Sequence, residues 1–245
     1  MIVNKLKFCI WNIHGYKSRQ IGNKLHSDDF FNIIKDQDFI GLTETHIHDE
    51  ILENLSIPGF IRLSYINMKK NQRSHTAPGG IAVFVKDLLF NLFSYVYSDN
   101  EDTIWVKIKK EVSKGDHDIY VGTHYVSPTS AAADKTAKLV ESVSAFQAKG
   151  YVLINGDFNA RTGNQNDTIS QDKFDTDFDI EIEGNNSKRN SQDKIVNKRG
   201  EEILDMCKSQ NLYIANGRKI GDPFGSYTCL KWNGNSVVDY LLSSQ

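Results

Sequence analysis

The sequence predicts an α/β fold in which two mixed β-sheets are covered by helices. Three observations carry that prediction. Short runs rich in β-branched and aromatic residues outnumber the helical stretches along the chain. Some of these runs follow one another with no helix between, as at residues 103–109 and 118–126, which implies antiparallel pairing. Others flank a helical stretch and make strand–helix–strand units. A purely parallel doubly wound sheet accommodates only the last pattern, so a mixed pair fits better.

Taken in order, residues 6–11, 39–43, 60–66, 80–85, 103–109, 118–126, 151–154, 212–215, 226–230 and 237–242 read as strands. Residues 28–35 read as a helix with Ser27 as its N-cap. Residues 131–147 place Leu139, Val143 and Phe146 at helical spacing, and 198–209 place Ile203, Leu204 and Cys207 on one face. The stretch 160–197 is long, polar and rich in Asn, Asp, Ser and Lys, and a segment of that kind inside a compact domain is usually functional or disordered. Its acidic run Asp175, Asp177, Asp179 and Glu181 lacks the glycine and the bidentate glutamate of a calcium loop, so it reads as solvated.

At 245 residues the chain fits one large domain or two small ones, and no internal repeat or linker is visible. Three widely spaced cysteines without metal-ligand spacing indicate reduced thiols and an intracellular, reducing compartment. No signal-peptide core or long apolar stretch is present, since the apolar run at 88–96 is too short to span a bilayer; a membrane partner is not expected. A net charge of −2 does not announce a nucleic-acid partner, which would need a local basic patch. Two groups offer one: Lys69, Lys70, Arg73 and His75, and then Lys188, Arg189, Lys194, Lys198 and Arg199. Either alone reads more readily as a solvated loop.

Chemistry concentrates where apolar runs end. Tyr151-Val152-Leu153-Ile154 leads to Gly156-Asp157-Phe158-Asn159, in which the glycine permits a tight turn and two polar residues follow at i and i+2. On an extended backbone those two share a face, so a carboxylate acceptor and an amide donor point together, a pair suited to holding a water and an anionic substrate. Alone, the tetrapeptide reads as readily as a strand ending in an Asx turn. Similar endings recur at Asn12, Glu44, Tyr125 and Asp239, and strand ends on one rim are where layered α/β proteins bind ligands. The set Asn12, Glu44, Tyr125, Asp157, Asn159 and Asp239 is oxygen-rich, which suits one magnesium or manganese ion that keeps several waters. His46 and His48, with His14 nearby, permit a zinc alternative, although no cysteine or third ligand accompanies them.

Five motifs in order, Trp11-Asn12-Ile13-His14-Gly15, Leu42-Thr43-Glu44-Thr45, Gly79-Gly80-Ile81-Ala82-Val83, Gly156-Asp157-Phe158-Asn159 and Ser236-Val237-Val238-Asp239-Tyr240, resemble the endonuclease/exonuclease/phosphatase superfamily with its DNase I-like fold. The chain looks most like the apurinic-type endonuclease domain of non-long-terminal-repeat retrotransposons, a likeness that Asn197-Lys198-Arg199-Gly200-Glu201 and residues 212–218 extend into the later half. The resemblance implies a four-layer α/β sandwich, two mixed sheets face to face with helices outside, that hydrolyses phosphodiester bonds with Mg2+ or Mn2+. It implies that Glu44 binds the metal beside Asn12, and that Asp157 activates the attacking water. Asn159 and Tyr125 would hold the scissile phosphate, Asp239 would orient a histidine, and Thr228 would lie near DNA. The implied partners are DNA, with nuclear access, and a downstream reverse transcriptase domain.

The family's partner histidine belongs to a Ser-Asp-His motif on a further strand, and none of the seven histidines here follows Asp239. The expectation is one domain over 1–245, truncated before its last strands. Two other functions stay open: a superfamily phosphatase or phosphodiesterase acting on an inositol phosphate or phospholipid, and a silent remnant that binds nucleic acid. The Tyr125-Val126-Ser127-Pro128 spacing also differs from the usual Tyr-x-Pro.

Overall fold

The computed structural model describes residues 5–47, 49–67, 79–99, 101–113, 116–128, 133–169, 189–218, 221–232 and 234–244. The chain forms two compact units, one comprising Met1–Ser130 and Ala145–Phe158, the other Ala131–Ser144 and Asn159–Gln245.

In the first unit the chain runs through β1 (Phe8–Asn12), a short hairpin of β2 (Lys17–Ser18) and β3 (Gly22–Asn23), α1 (Asp28–Ile34), β4 (Phe39–Thr43), β5 (Phe60–Ile66), β6 (Ile81–Lys86), β7 (Phe93–Ser98), β8 (Thr103–Ile108), the single turn α2 (Lys110–Ser113), β9 (Asp118–Tyr125) and β10 (Gly150–Asp157). One sheet has the order β1-β4-β6-β5, with β1 parallel to β4 and the other pairs antiparallel. The second runs β10-β9-β8-β7 within this unit, with β10 parallel to β9 and the rest antiparallel. Both sheets are therefore mixed, as the sequence predicts.

Strand alternation explains the layers. β4 is buried along its whole length and sends Phe39 to one face and Ile40 and Leu42 to the other. Phe39, Ile81, Val83 and Val85 meet Ile104, Val106, Ile108 and Val121 of the second sheet in a core between the sheets. On the opposite face Ile40, Leu42, Ala82 and Phe84 pack with Leu25, Phe30 and Ile34 of the α1 region, where Trp11 stacks on Phe30 at 5.4 Å. The Ser27 hydroxyl caps α1 by accepting from the Phe30 N–H. Beyond the second sheet, Phe146 from the end of α3 (Ala133–Gln147) packs on Tyr120 at 4.8 Å and on Trp105 at 4.7 Å. Within this unit the α1 region, the two sheets and the Phe146 end of α3 follow in that order.

β7 is absent from the predicted strands. Its run Tyr95, Val96, Tyr97 is exposed and carries a bulge, so it shows none of the polar–apolar alternation that marks a half-buried strand.

The second unit holds most of α3, then α4 (Lys198–Ser209), β11 (Leu212–Ile214), β12 (Cys229–Lys231), β13 (Gly234–Ser236) and β14 (Asp239–Ser244). β11 pairs antiparallel with β14, and β12 with β13. Asn197 caps α4 by accepting from the Gly200 N–H, and the face of Ile203, Leu204 and Cys207 is buried as predicted. Thr136 and Ser144 of α3 donate to Glu202 and Gln210.

The described parts of the 160–197 stretch are held by buried charges. Asp167 accepts two bonds from Arg218, both at 2.6 Å, and one from the Ile214 N–H. Asp193 takes a bidentate pair from Arg161, each bond 2.7 Å. The acidic run 175–181 and Lys188 lie outside the described residues. Among the described residues, no helix is long and apolar enough to cross a membrane.

Candidate active site

Strand register gathers the first four site residues. Asn12 ends β1 opposite Thr43, the last residue of β4, and Glu44 follows at once. Tyr125 and Asp157 end β9 and β10 as register partners, with the Val126 N–H donating to the Asp157 carbonyl at 3.1 Å. The loops after β1 and β4 continue side by side: Gly15 N–H donates to the Glu44 carbonyl at 2.6 Å and Tyr16 N–H to that of Thr45 at 2.9 Å. Behind them, His46 N–H donates to the Gly79 carbonyl at 2.9 Å, and a Cβ on Gly80 would stand 2.5 Å from Thr45 Oγ1. This close approach accounts for the glycine at position 80, and Gly79 before it takes a φ of 95°.

The side chains then join across the two sheets. Asn12 Nδ2 donates to Asp157 Oδ2 at 2.9 Å, and Asn12 Oδ1 accepts from the His14 N–H at 3.0 Å. The Tyr125 hydroxyl donates to Glu44 Oε1 at 3.1 Å. Asn12 with Asp157, and Glu44 with Tyr125, thus form two hydrogen-bonded pairs. Glu44 Oε2 faces His14 Nδ1 at 3.0 Å and His46 Nε2 at 3.9 Å. His14, Glu44 and His46 all take left-handed backbone conformations, with φ of 46°, 51° and 54°. Strain of this kind persists where surrounding bonds over-determine it, as the paired loops do here.

Electrostatics divide the roles. Burial alone would push the Glu44 carboxyl up, but hydrogen bonds from His14, Asn12 and Tyr125 outweigh it and hold the group below its ordinary range. It is an anion at neutral pH. Burial, together with the Glu44 and Asp157 charges, pushes the Tyr125 hydroxyl well above its usual range, so it stays a neutral donor. Burial lowers His46 against the pull of Glu44 and favours the uncharged ring.

Two corrections concern Gly156-Asp157-Phe158-Asn159. The expected strand 151–154 continues through Asp157, so Gly156 makes no turn; it sits in the ladder because a Cβ would overlap the His124 carbonyl, at a φ of 142°. Asn159 then takes a φ of 46°, so the backbone is not extended from Asp157 and the shared-face argument does not apply. Asn159 belongs to the second unit, as do Arg199, Thr228 and Asp239.

There, Asp239 opens β14, its N–H donating to Thr228 Oγ1 at 3.1 Å and its carbonyl accepting from Asn216 Nδ2 at 3.2 Å. Thr228 Oγ1 also accepts from the Val238 N–H, so Thr228 fixes the entry to β14 as well as being exposed. Arg199 lies half-buried in the first turn of α4. Arg189 leaves the second basic group: its guanidinium is buried and donates to Thr162 Oγ1 at 3.0 Å and to the Gln165 carbonyl at 2.9 Å. Lys69, Lys70, Arg73 and His48 fall outside the described residues.

Among the described residues, no three His, Cys, Asp or Glu side chains stand at metal-holding spacing, so the zinc alternative finds no three-donor set. A magnesium-type ion asks for less, one or two carboxylates with water and substrate oxygens completing its shell. The ionised, half-buried Glu44, with the Asn12 side chain bonded to the Asp157 carboxylate, fits that demand. The convergence of His14 and His46 on Glu44 was not legible in sequence, where both read as loop histidines.

The chain belongs to the Endonuclease/Exonuclease/phosphatase family, which it matches over residues 9–245. Among solved structures, it is similar to the endonuclease domain of TRAS1, a telomere-specific non-LTR retrotransposon, at 11% identity with a TM-score of 0.58, covering 98% of this chain and 86% of that one. It is similar to the AP endonuclease LMAP from Leishmania major at 13% identity and a TM-score of 0.67, covering 98% and 79%. The 3′ phosphatase NExo from Neisseria, bound to product DNA hairpin, matches at 13% identity and a TM-score of 0.57, covering 98% and 87%. At these identities the likeness shows the fold. No curated protein sequence matches the chain.

Proposed function

We propose that this protein nicks DNA by divalent-metal-dependent phosphodiester hydrolysis, as a retrotransposon-type endonuclease. The observation that carries the reading is the pairing of Asn12 with Asp157 and of Tyr125 with an ionised Glu44 at four strand ends.

Glu44, with Asn12 beside it, holds Mg2+ or Mn2+. When bound, the ion polarises the phosphate and neutralises charge on its oxygens. Asp157, its carboxylate oriented by Asn12, accepts the proton of the attacking water. Tyr125, kept neutral, and Asn159 donate to phosphate oxygens as charge develops on them. Asp239 orients a partner group, and Arg199, Thr228, Lys69, Lys70 and Arg73 contact the DNA backbone, which makes binding salt-dependent. A DNA substrate entails nuclear access, and the retrotransposon reading entails a reverse transcriptase as partner domain.

Conversion of supercoiled plasmid to open circles, with Mg2+ and with EDTA, tests the reading. Glu44→Ala and Asp157→Ala are each expected to lose at least about a hundredfold in rate. Equal nicking by either variant would remove the site. Hydrolysis of a soluble phosphomonoester or phospholipid without nicking would move the substrate within the superfamily.

A further inference from the structure

Asn159 and Asp239 lie far apart in sequence, yet the segments that carry them are stitched together by one buried hydroxyl. Tyr240 follows Asp239 and is 3% exposed. Its hydroxyl proton is shared between the Val237 carbonyl at 2.8 Å and the Ala160 carbonyl at 3.2 Å. Its lone pairs accept from Thr162 Oγ1 at 3.1 Å and from the Thr162 N–H at 3.3 Å. Ala160 adjoins Asn159, and Val237 stands two residues before Asp239. A single oxygen therefore ties the chain leaving Asn159 to the turn entering Asp239.

A second brace runs in parallel. Arg161 holds Asp193 in a bidentate pair, and Asp193 Oδ2 accepts from the Val237 N–H at 3.1 Å. Asn197 Oδ1 accepts from the Arg161 N–H at 3.0 Å, which anchors the brace to the start of α4. The Tyr240 hydroxyl and the Asp193 carboxylate both hold backbone groups around two residues of the candidate site. A well-packed aromatic ring would fill the same space without the hydroxyl, so packing alone does not call for it.

We infer that Tyr240 is a positioning residue, whose hydroxyl sets the placement of Asn159 and Asp239 relative to each other. The inference rests on the nuclease reading for its effect on rate. Its structural half stands apart from that reading. Because the ring is buried, the hydroxyl stays protonated and keeps its donor through neutral pH.

Tyr240→Phe removes only the hydroxyl. Well below its melting temperature it is expected to lower kcat for plasmid nicking about tenfold or more, with KM within about twofold. In an Asn159→Ala background the same change is expected to cost less than about twofold, because the placement it protects is already useless. An unchanged kcat, or losses that simply multiply, would overturn the inference in favour of a purely structural tyrosine. If the parent protein does not nick at all, the proposed function falls, and amide hydrogen exchange still decides the placement. The N–H groups of Arg161 and Val237 bond Asn197 and Asp193, not the hydroxyl. Both are expected to exchange at least about fivefold faster in Tyr240→Phe, as local opening of a shared unit requires; protection unchanged at either would sink the inference. Should Tyr240→Phe not fold, Thr162→Val, which deletes one donor to the hydroxyl, is read by the same exchange measurement.

Discussion

The Asn12 side-chain amide donates to Asp157 Oδ2 at 2.9 Å across a separation of 145 residues, joining the end of one sheet to the end of the other. The same side chain accepts from the His14 N–H, so Asn12 is held at both of its polar ends. A residue so placed orients the Asp157 carboxylate.

Asn12→Ala is therefore expected to slow nicking by about a hundredfold through a misdirected Asp157, while costing about 1 kcal/mol of stability for the lost bonds. Nicking rates and denaturant melts on one preparation separate the two. A large loss of stability with an unchanged rate would contradict the role.

Tyr125→Phe keeps the ring in the inter-sheet core and deletes the bond to Glu44. Its nicking rate is expected to fall about tenfold to a hundredfold. Since the hydroxyl is held well above its usual range, ultraviolet titrations of parent and variant should superimpose up to about pH 10. A tyrosine that ionises near its ordinary value and vanishes in the variant would be contrary evidence.

Acid stability follows from Asp167 and Asp193. Burial would raise both carboxyls, but Arg218 and the Ile214 N–H on one, and Arg161 with the Ile195 and Val237 N–H groups on the other, bring them below their ordinary value. A depressed folded-state value means stability that is fully present above the unfolded value of about 3.9 and is lost as pH falls through the folded value. This pair should give the melting temperature no pH dependence between neutrality and about pH 5, and the melting temperature should drop below about pH 4. Asp167→Asn, which strands the buried Arg218, is expected to cost about 3–5 kcal/mol and to flatten that acid limb.

Gly156→Ala should be the most damaging single methyl in the sheet. The new Cβ overlaps the His124 carbonyl, and the φ of 142° disfavours any side chain. Strain and overpacking together give a loss of about 3 kcal/mol. A thermal melt close to the parent's would show that the parallel β9–β10 ladder opens there more easily than its geometry indicates.

The strand-end residues were legible because apolar runs announce strands and polar residues close them, a local pattern that survives in β1, β4, β9 and β10. The helix cap Ser27 was legible for the same reason: capping is a contact within a single turn. β7 was not, because its exposed Tyr95 and Tyr97 and the bulge between them break the alternation on which strand reading depends. Arg189 was misread as surface charge. Composition records a charge but not its burial, and only the folded chain places that guanidinium on Thr162 and Gln165.

By itself, then, the sequence determined the alternating elements, the mixed pairing and the candidate residues Asn12, Glu44, Tyr125 and Asp157, since each depends on neighbours along the chain. Tertiary structure alone decided that Asn12 bridges to Asp157, that two histidines turn toward Glu44, that β10 runs on through Gly156, and that Tyr240 ties Ala160 to Val237. Those are contacts between distant segments, set by sheet register and by where a buried polar atom must find a partner, and no local pattern encodes them.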